Sequence, residues 1–155
     1  MYSVKRIPIL LLAVLCMLMT GCSNEYAKTE YDLDKKIAAE GDRYSKNKSV
    51  FNTSDGEYSL TVAQYDGRET LWTDITDKDQ DVGIKLSLSL SEGRAKVVYV
   101  DDEGNITTII ECSPEDCTDG YITKNLSLKK GKNRIKIVGY DCRNIDLKFS
   151  FQNME

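Results

Sequence analysis

Strict alternation of apolar and polar residues constrains this chain more than any other feature. In "GIKLSLSLSEG", Ile84, Leu86, Leu88 and Leu90 fall on one side of an extended backbone, and Lys85, Ser87, Ser89 and Ser91 on the other. That is the pattern of a strand with one buried face. A helix would scatter the same apolar residues around its circumference. The C-terminal stretch obeys the same rule: Ile145, Leu147, Phe149 and Phe151 alternate with Asp146, Lys148, Ser150 and Gln152. Further strand-like pieces lie at 95–100, 106–112, 121–128 and 133–140, with two earlier ones at 58–65 and 69–73. The pieces "SEGR", "DDEGN", "KKGKN" and "YDCRN" separate them and supply the Gly, Asn and Asp used in tight reversals. Short strands at this spacing, without an intervening helical pattern, predict an all-β domain over 57–155, an antiparallel β-sandwich or jelly roll. About 100 residues suffice to bury a core in such an arrangement.

Ahead of that domain, residues 22–56 are polar and rich in Ser, Asn, Asp and Lys, the composition of a tether. Within them Thr29 is placed to cap a short helix running to Glu40, with Leu33 and Ile37 one turn apart and Gly41 as its stop. So few apolar positions do not hold a helix without a surface to dock on.

Lys5 and Arg6 precede the apolar run "IPILLLAVLCMLMTG", residues 7–21. A bilayer-spanning helix needs about 20 apolar residues, and this run is shorter, so residues 1–21 read as a signal peptide. Cys16 belongs to that apolar run and reads as a small hydrophobe. The run ends Thr20, Gly21, Cys22, which resembles the lipobox of bacterial lipoproteins. The resemblance implies that Cys22 receives diacylglycerol, becomes the N-terminus after cleavage and carries two or three acyl chains such as palmitate. The protein would then be held on the outer, extracytoplasmic face of the bacterial cell membrane. The segments "LSLSEGRAKVVYVDDEGNITTI" and "LSLKKGKNRIKIVGYDCRNIDLKFSF" resemble small β-sandwich domains in lipoproteins and surface proteins of Gram-positive bacteria. Those domains look like the jelly rolls that also serve as carbohydrate-binding modules. The likeness covers residues 69–152 and implies a fold; its motifs are strands and turns, not catalytic signatures.

Composition narrows the function classes. The chain has no histidine, which removes Ser-His-Asp and Cys-His nucleophile systems and histidine-ligated zinc. Its net charge is −4, with no basic cluster in the domain, so nucleic acid is not an expected partner. The expectation is a non-catalytic accessory, adhesion or binding domain whose partners are the membrane, through the lipid anchor, and an extracellular glycan or protein. The alternative is a carbohydrate-binding module at the cell surface.

Three sets of residues are candidates for particular chemistry. Cys112 and Cys117 flank a four-residue loop and are placed to close it by a disulfide; a bridge from either to Cys142, or free thiols, stays open as an alternative. Asp77, Asp79 and Asp81 alternate in the loop "TDITDKDQDVG", with Asp74 nearby. Such carboxylates can coordinate calcium, although the spacing is not that of an EF-hand and a solvated acidic connection between strands is the preferred reading. Trp72, Tyr65, Tyr121 and Tyr140 supply rings for stacking on sugars if they share an exposed face; otherwise they fill the core.

Overall fold

Two very long strands organise the domain. The computed structural model describes residues 22–117 and 120–152, and the expected signal segment 1–21 lies outside them. In chain order the elements are α1 (Cys22–Asp32), α2 (Asp34–Ile37), β1 (Arg43–Ser54), β2 (Glu57–Thr76), β3 (Gln80–Ser89), β4 (Glu92–Val100), β5 (Ile106–Cys112), β6 (Ile122–Leu128) and β7 (Gly131–Gln152). Strands β2 and β7, of 20 and 22 residues, pair antiparallel along almost their whole length. Their first and second halves have different neighbours: β4 pairs with residues 134–143 of β7, whereas β3 pairs with residues 146–152. Strand β5 extends the first half of β7 and β6 the second, while β1 borders residues 57–68 of β2.

The long strands bend between these halves, so the sheet folds over onto itself. Leu60, Val62, Ile84, Leu86, Leu88, Ile145, Leu147 and Phe149 of one layer share a single buried cluster with Ala95, Val97, Tyr99, Ile135 and Ile137 of the other. The result is an antiparallel β-sandwich in which the alternating residues face inward. The predicted strands over 58–65 and 69–73 are therefore one element, as are those over 133–140 and 145–152. "YDCRN" does not reverse the chain. Asp141 and Asn144 do take the positive φ typical of turns, at 54° and 50°. Two residues of β7 face one on each neighbour here, which makes a bulge that kinks the strand.

The boundary drawn at residue 56 also needs correction, because residues 22–56 are not a free tether. Asp55 and Gly56 have φ of 52° and 79° and join Ser54 to its partner Glu57, the two-residue type I′ geometry of a tight hairpin. Strand β1 escaped notice because it lies at the sheet edge and is exposed along most of its length, so it carries no apolar alternation. The Asp-Gly pair was the signal that could have found it.

The helical segment covers the outer face of the layer containing β4. Tyr31 and Ile37 are buried against Val98, Val100 and Val138; enclosing Ile37 alone is worth about 2–3 kcal/mol. The remainder of the contact is charged. Glu30 pairs with the buried Arg68 and accepts a hydrogen bond from the Tyr26 hydroxyl at 2.6 Å. Lys136, 0% exposed, donates to the Ala39 carbonyl at 2.7 Å and lies 3.5 Å from the Asp42 carboxylate. Burial lowers its ammonium pKa, and Asp42 works against that shift. Arg134 reaches Ala39 and Glu40, each at 3.4 Å.

Candidate functional site

With one outer face closed by helices, the other layer's outer face stays open. Strand register places the residues opposite core positions in rows across it. One row reads Ser54, Glu57, Ser150, Lys85 and Thr123; the next Asn52, Ser59, Lys148 and Ser87; the third Val50, Thr61, Asp146 and Ser89. Neighbours in a row are about 4.8 Å apart. Apart from Val50, every side chain named is a hydroxyl, amide, ammonium or carboxylate, so donors and acceptors alternate over the whole surface.

Tyr121 lies across this lattice. Its side chain is 46% exposed, the Lys85 ammonium sits 4.5 Å from its ring centre, and its hydroxyl donates to Glu57 at 3.4 Å. The ring thus spans from the start of β6 toward β2. The other aromatic candidates are elsewhere. Tyr65 is 1% exposed and fills the core, its hydroxyl donating to the Ile137 carbonyl at 3.3 Å; burial raises its phenol pKa. Its ring cannot meet a ligand, because β2 alternation directs it inward at the bend. Trp72 packs on Phe151 with centroids 4.5 Å apart, partly buried at the core margin. Tyr140 is edge-on to Tyr31 beneath the helices.

The aspartate loop does not gather its carboxylates. Asp79 accepts from the Lys130 amide at 2.8 Å and the Lys129 ammonium at 3.0 Å, which together lower its pKa. It therefore ties the β2–β3 connection to the β6–β7 connection. Among the described residues, no three His, Cys, Asp or Glu side chains are grouped to hold a metal. The same end of the domain is braced by buried Asn133, whose amide nitrogen donates to the Lys129 and Gly131 carbonyls at 2.8 and 2.9 Å, while its oxygen accepts from Tyr99 at 2.5 Å. A depression of about 640 Å³ beside it is lined by Asp79, Asp101, Asp102, Glu103, Asn105 and Lys129, among others.

Cys112 and Cys117 are joined by a disulfide that closes the loop after β5. Cys142 is a free, buried thiol that lies 3.0 Å from the Arg94 carbonyl; burial, with the Asp66 carboxylate nearby, pushes its pKa up to about 12. With five residues of sequence separation, replacing both bonded cysteines by alanine is expected to cost about 2 kcal/mol. The check is a urea midpoint compared with that of the oxidised parent.

No family model matches the chain, and no curated protein matches it. Solved structures of similar outline include the carbohydrate-binding module of Cellvibrio mixtus lichenase 5A in complex with cellotriose, at 11% identity and a TM-score of 0.41, over 73% of this chain and 91% of that one. A mutant of a family 29 carbohydrate-binding module aligns at 14% identity and a TM-score of 0.39, over 74% and 78% of the two chains. The pre-peptidase C-terminal domain of a Bacillus anthracis collagenase aligns at 14% identity and a TM-score of 0.39, over 72% and 89%. By its own strand pairing, the chain is an antiparallel β-sandwich.

Proposed function

We propose that this protein is a non-catalytic binding module, held through Cys22 on the outer face of the bacterial cell membrane, that takes a glycan on its open sheet face. The observation that carries the ligand class is Tyr121, an exposed ring laid over rows of hydroxyl, ammonium and carboxylate side chains. A sugar offers an apolar ring face for stacking and a rim of hydroxyls that both donate and accept, and this surface complements both. The anchoring reading is supported by the Thr20, Gly21, Cys22 ending and the short apolar run before it. Among the described residues, no helix is long and apolar enough to cross a membrane.

Binding to a glycan array, followed by calorimetry on the hits, tests the ligand class. Tyr121→Ala is expected to weaken binding about tenfold through loss of stacking, and Lys148→Ala by at least as much through loss of a charged donor. An array without hits, or hits whose affinity neither substitution changes, overturns the glycan reading. Labelled palmitate tests the anchor independently: incorporation is expected to vanish in Cys22→Ser, and label that persists rules that residue out.

A further inference from the structure

Helix α1 determines where an anchor on Cys22 would leave the domain. One register row crosses five strands as Arg43, Arg68, Val138, Lys96 and Glu111, and α1 lies along it. The Tyr26 ring stacks on the Arg43 guanidinium at 4.1 Å, and Glu30 pairs with Arg68. Tyr31 sits under Lys96 and donates to Glu111 at 2.6 Å. The helix therefore runs across the strands with its N-terminal end over β1. It begins at Cys22, four residues before Tyr26, or about 6 Å along the axis. The chain thus enters the domain on the β1 side, with no long spacer between the helix start and the sandwich.

Strand β1 is cationic within an acidic chain. It carries Arg43, Lys46 and Lys48 and no acidic residue. Lys46 is paired with Glu69 at 2.6 Å, while Arg43 and Lys48 are exposed. Large apolar side chains are also exposed here, namely Tyr44, Val50 (54%) and Phe51. Its outer edge pairs with no other strand among the described residues.

We propose that the β1 edge is the surface this domain lays on the bilayer holding its anchor, with anionic lipid headgroups as its partner. The inference rests on acylation of Cys22. Cationic side chains interspersed with aromatic and aliphatic ones suit the headgroup boundary, where charge attraction and shallow burial add. Pairing with a second copy along β1 is disfavoured, because it would bring one cationic strand against another. Laid down on β1, the sandwich stands with its open face upright from the bilayer and β6 at the top, leaving Tyr121 clear for ligand.

Hydrogen exchange read by mass spectrometry tests this on the full protein purified from membranes and returned to vesicles. Amides of residues 43–54 are expected to exchange more slowly on phosphatidylglycerol-containing vesicles than on phosphatidylcholine vesicles or in detergent, with residues 146–150 unchanged. Arg43→Glu and Lys48→Glu are each expected to reduce that difference about fivefold. The mass of the Cys22 peptide from the same digest reports the anchor. An acylated Cys22 with β1 exchanging equally in all three conditions overturns the orientation alone; an unmodified Cys22 overturns the anchor and the orientation together. Protection of β1 that rises with protein concentration in detergent overturns it in favour of a second copy.

Discussion

Glu30→Ala is expected to remove about 3–5 kcal/mol of stability, the usual cost of leaving a buried charge without its partner. Glu30 and Arg68 are 1% and 7% exposed, and Glu30 also receives the Tyr26 hydroxyl and lies 3.9 Å from the Lys36 ammonium. Without that carboxylate, the Arg68 guanidinium stays enclosed between helix and sheet, or the helix lifts to hydrate it. The double replacement Glu30→Gln, Arg68→Met removes both charges and is expected to recover most of the loss, because a buried pair is worth little more than an apolar filling of its space. Urea unfolding separates the cases by midpoint at constant slope. If the single variant keeps the parental midpoint while residues 22–42 lose exchange protection, the helices open locally instead of unfolding the domain.

Gly67→Ala is the second large effect, expected to exceed about 4 kcal/mol or to prevent folding. Gly67 has φ of 108°, and a Cβ there would sit 2.1 Å from the Arg43 carbonyl oxygen and 2.8 Å from the Tyr44 Cα. Both obstacles are backbone of the neighbouring strand, so no side-chain rotation relieves them. Gly67 pairs with Gly139 at the register shift where β2 and β7 bend, so the clash falls on the corner of the sandwich. Gly56→Ala is the matching control. It also has a positive φ, 79°, but nothing lies within 4 Å of the added carbon, and its expected cost is about 1–2 kcal/mol from the left-handed conformation alone. Equal losses at the two positions, read from urea midpoints, would show that backbone conformation and not close approach sets the requirement at Gly67.

Legibility of the fold followed whether a residue's environment was set locally or by a distant partner. The alternation in 84–90 and 145–151 located two strands and correctly named their buried faces. In the expected strand 133–140, Ile135 and Ile137 face the core, while Arg134 and Lys136 occupy the opposite face and are not in solvent. They are enclosed, because the segment expected to be a tether returns over them. At "YDCRN", Asp and Asn adopt turn-like φ values as their types suggest, yet the chain kinks and continues. A bulge and a reversal draw on the same residues, and only the neighbouring strands decide between them. For the site, Tyr121 and the polar row on β3 were visible individually. Their meeting on one face with Glu57, Ser150 and Lys148 was not, since those residues lie far apart in sequence and only strand register brings them together.

By itself, then, the sequence determined the class of fold and the inward residues of the regular strands, because period-two alternation is a local property. Tertiary structure decided the rest. It joined four expected strands into two, turned the tether into an edge strand with a docked helix, buried three cations beneath that helix and left one polar face open. Each of these depends on long-range pairing, whose energy is shared between segments that carry no mark of one another.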